Sequence, residues 1–482
     1  MESKKKVAGL SRRQFIVLGA QSVAALALAR CATPTTEAPP AATQAPAATQ
    51  PLAATAAPTT PPEPTAEPTK APVTLEFLAW GDNADIPAWD KLVAEYKNVA
   101  SHATITVTAV AEPNANFYPK LQTAIAGGTP PAVASFQGWE WQTYADQDVL
   151  AAIDDHVAAD DYFKDVYPEG IASIEGTTVR NGARYLIPLQ RAAMLMFYSK
   201  KAFDDAGLAY PTDDWTFDEF MEIAKTLTKT SGDQKLFGHQ ANGGWFRDIG
   251  WIRGTGKQEF DELYDPRKSQ FNQPEIADIV QKVASDWYYT DKIAPTPADL
   301  SGGANTINTG NSATKYEGPW FFGALNSPDL RSQGKNVPFD VVLMPKMADD
   351  SRPHRGWTEG VALLATDLVD EAWAFASFMG GETGDKIYAE TTGRVPNTTA
   401  LIESFWLPVV EKKFEVKNAK AFIEAFDRGE VDVVGKVPRS KMWSEVVKPV
   451  AWDPLIGGTA KAADVLSKVD EGVQKLLDEA YG

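Results

Sequence analysis

Cysteine, histidine and positive charge are all scarce in this chain of 482 residues. A single cysteine excludes an internal disulfide. The four histidines (His102, His156, His239 and His354) are scattered, without the spacing of a metal site or of histidine-based catalysis. No metal and no cofactor is expected. Lysine and arginine number 46 against 64 acidic residues, a formal net charge of −18, which argues against a nucleic-acid or anionic-membrane surface. The apolar stretch Ile16 to Ala29 is too short for a comfortable membrane span, and Gly19, Gln21 and Ser22 interrupt it. What remains has the composition of a globular protein long enough for two or three domains.

Residues 1–31 read as an export signal. Lys4, Lys5, Lys6, Arg12 and Arg13 precede the apolar stretch, and Ser11-Arg-Arg-Gln-Phe-Ile16 resembles a twin-arginine signal. Leu28-Ala29-Arg30-Cys31 resembles a lipobox, with Arg30 where a small residue is usual, so Cys31 is the expected lipidation site; Ala27-Leu28-Ala29 offers ordinary cleavage instead. From Ala32 to Pro72, 34 of 41 residues are Pro, Ala or Thr, too little apolar surface to fold, and the segment is expected to be a disordered linker. The expected location is the outer face of the cell membrane, tethered by lipid, or the periplasm.

The folded body starts near Val73. Val73, Leu75 and Phe77 alternate with Thr74 and Glu76 as in a strand, and a helix with Trp89, Leu92, Val93 and Tyr96 at helical spacing follows. Thr104 to Ala109 is a second strand. A further helix runs to Gly127-Gly128, and Pro130-Pro131 lead into a strand, Ala132 to Phe136. Such alternation of strand and helix is the pattern of a parallel α/β sheet. Gln137, Trp139, Glu140 and Trp141 gather at the carboxyl end of that strand, where open α/β sheets bind ligands. Arg184 to Phe203 reads as two strands broken at Pro188. Trp215 to Phe220 is a capped helix start, so Trp215 is structural, and Trp287 and Trp373 fall on the buried stripes of later helices.

Six tryptophans sit differently. Trp80, Trp139, Trp141, Trp245, Trp320 and Trp357 lie on or beside glycine-containing turns, where an apolar ring either covers the core or lines a cleft. Asp82, Gln137, Glu140, Gln190, Arg247 and Glu359 stand near them. Flat rings that stack on the C–H face of a sugar, with carboxylates, amides and guanidiniums on its hydroxyls, would make a carbohydrate site. An exported carbohydrate-active enzyme using Glu140 and Glu359 is an alternative. So is a lipoprotein binding a polyamine, a peptide or another non-sugar solute.

An ordered series of segments resembles the family 1 extracellular solute-binding proteins, the sugar-capturing subunits of ABC importers. It comprises LQTAIAGGTPPAV, YLIPLQRAAMLMFYSKKAFDDAGL, TDDWTFDEFMEIAKTLT, YEGPWFFGAL, PFDVVLMPK, GWTEGVALLAT and GRVPNTTAL. Ala132 replaces a usual Asp, and Ser199 a usual Asn. The resemblance implies an α/β, two-lobed periplasmic-binding-protein-like fold with discontinuous lobes and a ligand cleft between them. The lobes are expected at 73–188 with 315–366, and at 189–314 with 367–482. It implies a non-enzymatic monomer that binds a sugar or oligosaccharide and delivers it to permease subunits. It also places Trp320 on the sugar and Trp443 near a stacking aromatic of the second lobe, although Met442, Val446 and Val447 around Trp443 read as core.

Overall fold

The alternating segments at the start of the folded body form strands β1 (Val73–Trp80), β2 (Ala103–Val110) and β3 (Val133–Gln137). The structure is a computed structural model describing residues 70–81, 85–111, 116–229 and 235–482. The export signal, the linker as far as Thr69, Cys31 and Asp82 lie outside the described residues. β1 runs parallel to β2 on one side and to β3 on the other. Helices α1 (Ile86–Val99) and α2 (Tyr118–Ala126) make the crossovers. Gly128, just past α2, takes φ 72°, a left-handed position that suits glycine. Leu75, Phe77, Ala79 and Val133 face one core, and Leu78, Ala134 and Phe136 face a smaller one on the other side.

Later strands are β4 (Leu186–Ala193), β5 (Leu195–Ser199), β6 (Thr314–Glu317), β7 (Phe339–Val342), β8 (His354–Leu363) and β9 (Gly429–Glu430). The first sheet has the order β9-β8-β3-β1-β2, with β4 also paired antiparallel to β8. Pro188 does not break a strand, contrary to the sequence reading. The register passes from Gln190 opposite Glu359 to Pro188 opposite Gly360, so Leu189 is the extra residue of a bulge, where a proline without N–H is tolerated. The break falls at Met194, where the chain leaves the first sheet for a second one of order β6-β5-β7.

That second sheet is the wall between the lobes. Leu195, Phe197, Phe339 and Val341 enter the core of the first lobe, whereas Met196, Tyr198, Tyr316 and Val342 enter the core of the second. Helices α3 (Phe217–Leu227) and α4 (Trp245–Arg253) belong to the second lobe. The capping box at the start of α3 forms as expected, Thr216 and Glu219 bonding each other's backbone N–H, and Trp215 packs edge-on against Phe220 at 5.7 Å.

The division of the C-terminal part differs from the expected boundary. Core residues from Ala372 to Phe426 pack in the first lobe, because helices Val369–Gly380 and Glu382–Thr392 lay apolar stripes against its sheet and α1. Phe375 meets Phe77 at 5.7 Å, and Tyr388 stacks on Trp89 at 5.1 Å. The chain then crosses once more, through β9, and Val433 onward joins the second core. No helix among the described residues is long and apolar enough to cross a membrane.

Candidate functional site

Arg355, Trp357 and Glu359 share one face of β8 by simple alternation, and they organise the space between the lobes. The Arg355 guanidinium lies between two indoles, 4.0 Å from the Trp357 ring centre and 4.6 Å from that of Trp139. Arg439, from the second lobe, lies 4.2 Å from Trp139 and 4.3 Å from Phe246, whose ring meets Trp443 edge-on at 5.3 Å. The result is a ladder of alternating rings and cations that spans the two lobes. Asp432 ties it together. Its Oδ2 accepts from Nε and Nη2 of Arg355 at 3.0 and 2.7 Å, and its Oδ1 accepts from Nη1 of Arg439 at 2.7 Å. Burial opposes the charge on Asp432, but the two guanidiniums outweigh it and hold the carboxyl below its usual range. Burial pulls Arg355 down to about 10 despite that partner.

Glu359 anchors a second polar group. It accepts from the Trp357 indole N–H at 3.0 Å, from the Gln190 amide and from Arg394 at 3.4 Å, and Arg394 also pairs with Asp85 at 2.8 Å. Glu140 reaches across to the second lobe, where Ser440 donates to its Oε2 at 3.3 Å. Burial raises the Glu140 carboxyl to about 6, against the pull of Arg439 and Ser440. Around this floor, buried side-chain atoms have no hydrogen-bond partner among the described residues: Gln137 Oε1, Trp139 Nε1, Glu140 Oε1, Gln190 Oε1 and Arg439 Nε. Native proteins leave few such atoms unpaired, and these five are among fourteen found in the described residues. A groove of about 540 Å³ opens beside them, between Tyr118, Glu140 and Tyr144 of the first lobe and Phe246, Arg439 and Trp443 of the second.

The lobes also touch away from this floor. Arg180 grips Asp146 of its own lobe at 2.8 and 2.6 Å and reaches Asp265 of the other at 2.6 Å. The Tyr264 hydroxyl donates to the Ala172 carbonyl at 3.3 Å, passing so close to Gly176 that a Cβ there would lie 1.4 Å from it.

A family model for bacterial extracellular solute-binding proteins matches residues 91–422. The chain belongs to that family. Putative binding proteins of Brucella abortus and Brucella suis are 22% identical to this solute-binding protein over 286 residues, 58% of the chain and 65% of their own length. Among solved structures, it is similar to an ABC substrate-binding protein of Listeria monocytogenes in complex with cycloalternan. The TM-score is 0.71 at 22% identity, covering 84% of this chain and 99% of that one. It is also similar to the GacH receptor of Streptomyces glaucescens, solved unliganded and with acarbose, with a TM-score of 0.67 at 18% identity, covering 85% and 100%. These likenesses establish the two-lobed α/β fold.

The solute-binding protein brings together only part of the residue set picked from its sequence. Trp139, Trp357 and Trp320 form a continuous run of rings, each 5.6 Å from the next. Gly318 makes room for the last of them, since a Cβ there would sit 2.1 Å from the Trp320 ring. Gln137 and Gln190 flank Glu359 on neighbouring strands. Trp80 lies near Arg394, 5.8 Å from the guanidinium, and Glu140 and Trp443 line the groove. Arg247 pairs with Glu317 at 2.7 Å in the second lobe. Trp141 and Trp245 sit elsewhere. Trp141 is buried in the smaller core, its N–H on the Thr177 carbonyl at 2.8 Å; Trp245 is buried among Phe260 and Phe271, its N–H on Glu259 at 3.2 Å. Phe246, Arg355, Asp432 and Arg439 were missed. Arg355 was within reach, because the alternation that links Trp357 to Glu359 extends to it.

Proposed function

We propose that this solute-binding protein is the capture subunit of an ABC importer, closing its lobes on a sugar or oligosaccharide and passing it to membrane permease subunits. The observation that carries the reading is the set of unpartnered buried donors and acceptors beside the Trp139–Trp357–Trp320 rings. A polyol is the ligand that meets both needs at once, its hydroxyls donating to Gln137, Glu140 and Gln190 and accepting from Trp139 and Arg439, its C–H faces lying on rings. The bound sugars named for the Listeria and Streptomyces relatives support the same class. A ligand touching both lobes favours the closed form, which is the form a permease would receive. No chemistry on the ligand is part of this role. Of the two carboxylates an enzyme would use, Glu359 has both oxygens engaged by neighbours.

Export through the twin-arginine-like signal and lipidation at Cys31 complete the proposal, with residues 32–72 as the tether. Mass spectrometry of membrane-extracted protein should find a diacylglyceryl cysteine at the N-terminus; an unmodified N-terminus would remove the anchor. For the binding role, a panel of oligosaccharides should include one that raises Tm and shifts tryptophan fluorescence. A panel in which every sugar leaves both unchanged would sink the reading.

A further inference from the structure

Under Glu359, on the side of the first-lobe core, the sheet leaves a small hollow. Trp80, Trp89, Ser135, Gln190, Gly360 and Tyr388 line it, and it lies at the bulge where Leu189 is the extra residue of β4. Its volume is about 10 Å³, room for one water and for nothing larger. Three of the fourteen unpartnered buried atoms belong to its walls: Ser135 Oγ, Trp89 Nε1 and Gln190 Oε1. They come from β3, α1 and β4, so no local turn or cap accounts for them. Ser135 shares its face of β3 with Val133 of the first-lobe core, and Trp89 stacks on Tyr388 with its N–H left over.

The donors and acceptors on the walls select the occupant. An indole N–H only donates, a carbonyl oxygen only accepts, and a hydroxyl does either. The Gln190 amide is oriented from its other end. Oε2 of Glu359 faces both this amide and, at 3.4 Å, the Arg394 guanidinium, so it is an acceptor and the group of Gln190 against it is the NH2. The occupant therefore has to accept from Trp89 and donate to Gln190. A halide ion has no donor, and ammonium or a metal cation has no acceptor. Water has both, with a third bond left for Ser135, the usual number for a buried water.

We propose that one water is bound in this hollow between Trp89, Ser135 and Gln190, and that Ser135 is thereby a positioning residue for the cleft floor. With its carbonyl held on the water, Gln190 presents its NH2 to Glu359 Oε2, and Glu359 Oε1 accepts from the Trp357 indole N–H at 3.0 Å. Ser135 pairs with Val361, further along β8, and reaches Trp357 only through this relay. A carbonyl oxygen accepts two hydrogen bonds, so the water leaves Gln190 one lone pair for the cleft. The water site stands whatever the cleft binds.

The test uses the full chain without sugar, unsubstituted and as Ser135→Val and Ser135→Ala. A crystal structure of the unsubstituted protein should show one water within hydrogen-bonding distance of Ser135 Oγ, Gln190 Oε1 and Trp89 Nε1. Ser135→Val removes the hydroxyl and fills the hollow, and its structure should lack that water. Indole N–H signals in a proton–nitrogen correlation spectrum supply the second readout, those of Trp89 and Trp357 being assigned by Trp89→Phe and Trp357→Phe. Both should shift in Ser135→Val, while the signals of Trp141 and Trp245, which lie outside the relay, should stay. Ser135→Ala takes away one oxygen and nothing else, so it carries the same expectation for Trp357 if thermal melting shows the bulkier variant unfolded. A hollow without water in the unsubstituted protein, or with a neighbouring side chain folded into it, overturns the site. A Trp357 signal that does not move in either variant, or that moves no further than those of Trp141 and Trp245, overturns the positioning role. Neither result touches saccharide binding, which the oligosaccharide panel tests separately.

Discussion

Arg180 offers the sharpest test of how the lobes are held. Its guanidinium is almost fully buried and makes three charge-assisted bonds, of which only the 2.6 Å bond to Asp265 crosses between lobes. A hydrogen bond to a charged group contributes about 1.5–3 kcal/mol. The Asp265 side chain is a third exposed, at 34%, so water screening puts this bond at the lower end, about 1.5 kcal/mol. In Arg180→Met both carboxylates retain contact with water, at 23% and 34% exposure, so no charge is stranded and the loss is confined to the bond itself. We predict that the closed-to-open ratio falls about tenfold, since 1.4 kcal/mol is a factor of ten. Ligand affinity should drop by up to the same factor, carried by a faster off-rate, because the ligand must then supply the closure energy. Small-angle scattering of the unliganded protein should show a larger radius of gyration for the variant, and stopped-flow fluorescence the faster release. An unchanged radius together with an unchanged off-rate would show that the Arg180–Asp265 contact is indifferent to lobe closure.

Three further outcomes can be read from the same contacts. Trp245→Ala should lose about 3–5 kcal/mol of stability, as large aromatic truncations in cores do, measured by urea denaturation, whereas Phe246→Ala should cost far less stability but weaken ligand binding. Asp248, buried and bonded to the Trp452 N–H at 3.3 Å, has its carboxyl raised by burial to about 7. The folded protein therefore holds this proton more tightly than the unfolded chain, and stability should fall as pH rises from about 4 to 7, by about 1.4 kcal/mol per unit; Asp248→Asn should raise Tm at pH 8 and leave it unchanged at pH 4. Gly318→Ala should push the Trp320 ring off its place beside Trp357, seen as a shift in intrinsic fluorescence and weaker ligand binding without loss of cooperative unfolding.

Local patterns made the frame readable before the structure. The strand and helix order from Val73 to Gln137, the capped start of α3 and the core roles of Trp215 and Trp287 all follow from spacing within a few residues. The errors have a common cause, which is that a local pattern does not say what lies opposite. Pro188 looks like a strand breaker until β8 supplies the register shift that accommodates it. Trp245 follows two glycines and so looks like a loop residue, but it is the first residue of α4 and shares the buried stripe of Ile249 and Ile252, which turns Phe246 toward the cleft. Asp432 and Arg439 come from far along the chain, and nothing in their own neighbourhoods announces that they meet Arg355.

The sheet β6-β5-β7 has a further consequence. Adjacent residues of β5 are shared out between the two halves, Leu195 and Phe197 to one, Met196 and Tyr198 to the other. Neither half can lose its order without stripping one face from a wall that the other still needs. Calorimetry should therefore record a single endotherm for the folded body, and either half expressed alone should be an aggregating fragment instead of an autonomous domain.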